Sequence, residues 1–169
     1  MIITTSELID ALKKEVHILN HLITKIEPAM VDYRPTEKQR STLELLKYMA
    51  FMGPVLVKSA LAGSFDQADW VARSATLEGK GLTETAAAIA AQAGEYEALL
   101  ANVPDEKFRA DVELFGRRTK VGPFIIGTVL GGHAAYRTQL FCYLKACGRT
   151  ELSTMNLWAG MDAPAAATT

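Results

Sequence analysis

Three histidines, five tyrosines and two cysteines are the side chains here that could bind a metal, move a proton or attack an electrophile. His133 and Tyr136 are three apart, a spacing that puts both on one face of a helix. On a helical wheel they fall, with Gly132, inside the apolar arc drawn by Ile126, Val129, Leu140, Tyr143 and Leu144. Arg137 sits at one edge of that arc and Gln139 at the other. Gly131 and Gly132 leave room beside them for a backbone or a ligand. Two readings follow. His133 and Tyr136 are satisfied polar core groups, bonded to neighbours such as Tyr48, or they line a pocket between helices with Tyr48, Met52 and Arg137. In the second case His133, whose ordinary pKa lies near neutrality, is the candidate general base, and Arg137 would hold an anionic substrate.

The other candidates carry less. His17 and His21 have the i, i+4 spacing of a metal pair, but they lie with Asp10, Lys13, Lys14 and Lys25 on the polar arc of their helix, so they are expected as surface histidines. One histidine does not make a zinc site, which needs three or four protein ligands. Cys142 and Cys147 are five apart on one helix, cannot easily bridge, and are expected as reduced thiols. Met30, Met49 and Met52 are expected as core filler rather than a ligand groove. No glycine-rich phosphate loop, Glu-x-x-His pair, HExxH or nucleophile elbow is present.

The elements that must position these groups are helices. Leu8, Leu12, Val16, Leu19, Ile23 and Ile26 form one stripe and predict a helix from about Thr5 to Glu27, capped by Ser6 or Thr5. Asp32 to Gln39 reads as a loop. Ser41 and Glu44 make a capping box that opens a helix to Ala62. That helix is apolar on nearly all sides, which demands cover from several neighbours or a second subunit, and it contains Pro54. Asp66 to Ala75 predicts a short helix carrying Trp70. Thr83 opens a third long helix, with Ala86, Ile89, Ala93, Tyr96 and Leu100 at helical spacing before Pro104. Val112, Leu114 and Phe115 with an Arg117-Arg118 turn suggest a hairpin between Phe108 and Gly122. A fourth long helix runs from about Phe124 to Cys147, closed by Gly148. The expected fold is an all-α four-helix bundle over residues 1–150, with 151–169 a C-terminal extension whose last, Ala-, Pro- and Thr-only residues are disordered.

Bulk properties exclude several partners. At 169 residues the chain fits one domain with an ordinary core, and a net charge of −1 offers nothing to nucleic acid or anionic lipid. The first residues lack the charged and apolar regions of a signal peptide, and no stretch reads as a membrane span, Phe124 to Leu130 being too short. A cytoplasmic protein with no nucleic-acid or membrane partner is expected.

Two stretches also resemble a family. Tyr33-Arg34-Pro35 followed by Ser41 to Met49, and His133-Ala134-Ala135-Tyr136-Arg137-Thr138-Gln139-Leu140 with Gly148 beyond, are similar to the loop, second helix and last helix of DinB-like proteins. The resemblance implies an up-down-down-up four-helix bundle, commonly a homodimer. In metal-bearing members it implies a divalent ion on three histidines, with some relatives acting as thiol-dependent transferases or isomerases. The three histidine positions fall here at Tyr48, Gly132 and Tyr136, while Arg137 and Gln139 match. His133 is one residue out of register, about 100° round the helix, and would replace a lost ligand only if the helix were locally shifted. Two phenols and a glycine are a poor divalent site, so no tightly bound metal and no cofactor is expected. Three functions compete on these terms: a metal-free module binding a small ligand or associated with stress, a metal- or thiol-dependent transferase or isomerase working at His133, and a purely structural dimer built on the second helix.

Overall fold

Thr4, one residue before the expected caps, starts the first helix: its hydroxyl accepts the Glu7 amide N–H and the Glu7 carboxylate accepts the Thr4 N–H at 2.7 Å. A computed structural model of the chain describes residues 3–164. Helix α1 spans Thr5–Ile23, shorter than the stripe suggested, and a 3-10 turn at Pro28–Met30 leads into the loop. The Ser41–Glu44 capping box opens α2, Thr42–Ala62, which runs through Pro54 and ends on Gly63. Helix α3 is Gln67–Thr76, capped by Asp66, and α4 is Leu82–Leu100. A short α5, Asp105–Arg109, precedes the hairpin of β1, Asp111–Leu114, and antiparallel β2, Arg117–Lys120. Its turn is Phe115-Gly116, both at positive φ, the geometry that fits the twist of paired strands; Arg117 and Arg118 therefore belong to β2 rather than to the turn.

The last long helix is continuous but not uniform. It begins as α6, Val121–Phe124, passes through Ile125–Leu130 with π-type bonding, and continues as α7, Gly131–Ala146. The Gly131 N–H reaches back five residues to the Ile126 carbonyl. Such a stretch adds one residue to the turn and rotates everything before it by about 100° relative to a regular wheel. Hence Ile125 is fully buried and Ile126, placed in the apolar arc by the regular wheel, is 39% exposed.

Helix α4 packs on both α1 and α2, and α7 also touches both, so α1 lies across the bundle from α2 and α4 across from α7. The all-α bundle expected from the sequence is present, the hairpin being its only sheet among the described residues. Leu12, Leu19, Leu45, Leu46, Met49, Val55, Ile89, Leu100, Ile125 and Leu144 are sealed in its core, each such side chain contributing roughly 1.5–3 kcal/mol by leaving water. Helix α2 is long and apolar enough to cross a membrane by length and composition, a property the sequence reading overlooked, yet 72% of that apolar window is buried by its neighbours within the chain. Beyond α7, residues 151–164 fold back onto α1 through a π-type turn at Met155–Ala159. The described part of the extension is thus packed on the bundle; the expectation of disorder falls largely on 165–169, outside the described residues.

Candidate functional site

His133 is 1% exposed and points across the bundle to α4, where its Nε2 lies 2.6 Å from the Tyr96 hydroxyl. The Tyr96 hydroxyl is also 3.2 Å from Gln92 Oε1, and Gln92 Nε2 donates to the Met49 carbonyl on α2 at 2.8 Å. One proton arrangement gives each polar atom of this hydrogen-bonded chain but one a partner. His133 Nε2–H donates to Tyr96, Tyr96 O–H donates to Gln92, and the amide donates to Met49, so that only the His133 Nδ1 lone pair has no partner. Burial pushes His133 down to about 4 and raises Tyr96 well above the usual phenol range, so the pair is neutral. Gly53 of α2 makes the crossing possible: a Cβ there would lie 1.9 Å from the Tyr96 oxygen and 2.7 Å from His133 Nε2. Tyr96 and Gln92 are polar partners that sequence reading missed, as it did Gly53, which leaves them room. The available signal was Gln92, a polar residue between Ile89 and Tyr96 on the apolar arc of α4.

Arg137 faces the other way. Its side chain, 4% exposed, pairs with Glu15 on α1 and donates to the Leu157 carbonyl, and its guanidinium lies 5.2 Å from the Trp158 ring centre. It is thus at the joint between α1, α7 and the terminal segment, not at the edge of a pocket with His133. The same segment covers the histidine face of α1. Asn156 Nδ2 is 3.0 Å from His21 Nε2 and donates to Asp162, which also pairs with Lys25, and Gly160 lies against His17. His21, expected on the surface, has its side chain only 14% exposed for this reason, and burial first, then Lys25, lowers its pKa. Among the described residues no three His, Cys, Asp or Glu side chains come together as a metal-binding group.

Tyr48 and Tyr136 do meet, edge to face, with ring centres 5.2 Å apart. Tyr48 also lines an open cleft of about 500 Å³ between α2 and α3, with Phe51 and Trp70 as further aromatic walls. Arg40, Lys47, Ser74 and Glu78 stand round it. The five residues expected to share one pocket are therefore dispersed: His133 lies in the sealed core, Arg137 at the α1 joint, Tyr48 meets Tyr136, and Met52 is buried against Gly132.

Comparison with solved structures gives the frame for these positions. The chain superposes on a DinB-like protein, YjoA, from Bacillus subtilis with a TM-score of 0.65 over 86% of this chain and 94% of that one, at 18% identity. The fold is DinB-like. No family model and no curated protein matches the sequence.

The DinB-like resemblance implies a divalent ion held at the positions of Tyr48, Gly132 and Tyr136, and the side chains there do not fit one. Burial first, and the neighbouring Tyr136 phenol second, push Tyr48 up to about 12, which keeps it a neutral and weak donor at pH 7. Gly132 supplies no donor, and the space its side chain would enter is taken by Met52, whose Cε is 3.1 Å from where a Cβ would stand. His133, the one imidazole nearby, is turned away and spent on Tyr96. The DinB-like scaffold is thus closed at this point by two phenols and a thioether.

Proposed function

We propose that this DinB-like chain is a metal-independent module that binds a small ligand in the cleft between α2 and α3. The observation carrying the proposal is the filling of the three histidine positions by Tyr48, Tyr136 and the space-filling pair Gly132 and Met52, next to a cleft that stays open. A volume of about 500 Å³ is within the range of small-molecule sites, and this cleft joins aromatic walls to a rim of charged and polar groups that could orient a ligand. Transferase or isomerase chemistry at His133 loses its support, because a general base must reach its substrate and this imidazole is sealed in the core.

Elemental analysis of the purified protein, with melting curves before and after chelator, tests the reading. Less than stoichiometric divalent metal and an unchanged Tm are expected. A one-to-one ion whose removal lowers Tm would overturn it, since a ligand bound to the native state stabilises it.

The proposal includes the homodimer that the resemblance implies, but with its contact moved. The apolar surface of α2 is consumed inside the chain. Two apolar clefts remain open on the side of α1 and α6–α7, sharing Ile126 and bordered by Leu130, Pro123 and the 64%-exposed Trp158. A continuous apolar face of this kind is what a second copy would cover.

A further inference from the structure

We infer that the α2–α3 cleft selects a small aromatic carboxylate, with Arg40 as the residue that grips the carboxyl group; this rests on the reading of the cleft as a ligand site. The position of Arg40 is determined on both sides. Its carbonyl accepts the Tyr143 hydroxyl of α7 at 3.1 Å, and the next residues are tied to the loop by Thr42 N–H to Tyr33 O at 2.9 Å and Leu43 N–H to Val31 O at 3.0 Å. Its guanidinium lies over the Tyr48 ring, 4.2 Å from the centre. Stacking of this kind holds the planar fork without using its N–H groups. Among the described residues no carboxylate and no carbonyl accepts from them.

The charges round the cleft then decide the sign of the ligand. Glu44 is committed, its carboxylate accepting the Ser41 N–H at 2.7 Å and pairing with Arg34 at 3.2 Å. Lys47 and Arg40 have no ion-pair partner among the described residues, and Glu78 is the single uncommitted carboxylate, so the uncommitted charge is positive. A cation would meet the Tyr48 face already covered by Arg40. A carboxylate would take two parallel N–H donors from Arg40 with Lys47 beside it, and the ring attached to it would lie against Phe51, Trp70 and Leu77.

The test uses the full chain and three matched probes: benzoate, benzamide and benzylamine. The reporter is the indole N–H resonance of Trp70, assigned by comparison with Trp158→Phe. Benzoate is expected to move it saturably, with benzamide and benzylamine at least about tenfold weaker, the ratio set by losing a charge-assisted hydrogen bond. Arg40→Gln should weaken benzoate by about tenfold with an unchanged circular dichroism spectrum, and Arg40→Lys should recover part of it. Benzylamine binding as well as benzoate would overturn the carboxylate assignment while leaving the cleft a ligand site. Unaltered benzoate binding by Arg40→Gln would remove Arg40 from the role. No response of Trp70 to any probe would overturn this inference but not the metal-free reading, which stands on the metal analysis.

Discussion

At the scale of single residues the pair Tyr96 and His133 decides how the molecule responds to acid. His133 titrates near 6.5 when the chain is unfolded and about 4 when it is buried, so the unfolded state takes up the proton first. The stability tied to this group is complete above about pH 6.5 and is lost as pH falls from there toward 4, about 3 kcal/mol in all. Urea unfolding at pH 7.5, 5.5 and 4.5 should show that slope in the parent protein and a flatter one in His133→Gln, which keeps a donor for Tyr96 but has no proton to gain. An equal slope in both would show that His133 does not carry it. His21, also lowered by burial, pulls in the same direction and remains in both proteins. The inward orientation of His133 was legible in the sequence, because it follows from spacing against Leu140 and Leu144 in a regular stretch. Its partner was not, because a tyrosine on an apolar stripe reads as bulk, and which tyrosine crosses the bundle depends on the angles at which helices pack.

At the scale of elements the Ser41–Glu44 capping box was plainly legible, since it acts through the chain immediately beside it, whereas the first helix is capped by Thr4 rather than by the expected Ser6 or Thr5. The π-type stretch at Ile125–Leu130 was not legible: a slip of hydrogen bonding by one residue leaves no fixed residue pattern, and it moved Ile126 from the core to the surface. The terminal segment was equally hidden, because its anchor is Arg137, which donates to the Leu157 carbonyl while it is held by Glu15 on α1, a contact between distant parts of the chain. Removing one partner strands the other charge in a site only 12% exposed. Arg137→Met should therefore cost about 3–5 kcal/mol and loosen the 151–164 segment, read as faster amide exchange at Asn156 and Leu157. Adding Glu15→Gln should recover a large part of the loss. If the single variant is as stable as the parent, with exchange unchanged, Arg137 is not the anchor.

For the whole molecule, the bundle and the placement of its four long helices were read from periodicity, while the reason for an all-round apolar α2 was left open between neighbours and a second subunit. The folded chain uses neighbours: α3, α4, α6 and α7 cover it. The dimer proposed above therefore depends on Ile126 and Trp158. Sedimentation velocity at micromolar concentration should give a dimer for the parent and a monomer, with unchanged helix content, for Ile126→Asp. A monomeric parent would remove the proposed interface.

The crossing over Gly53 reaches beyond this one chain. Position 53 is a clearance gauge: only a hydrogen atom fits beneath the Tyr96 oxygen. Any related sequence that keeps tyrosine and histidine at the positions of Tyr96 and His133 must keep glycine at that of Gly53, and one that fills the gap must give up the pair. The three positions are expected to change together, so three letters of a related sequence suffice to tell whether it shares this interior crossing.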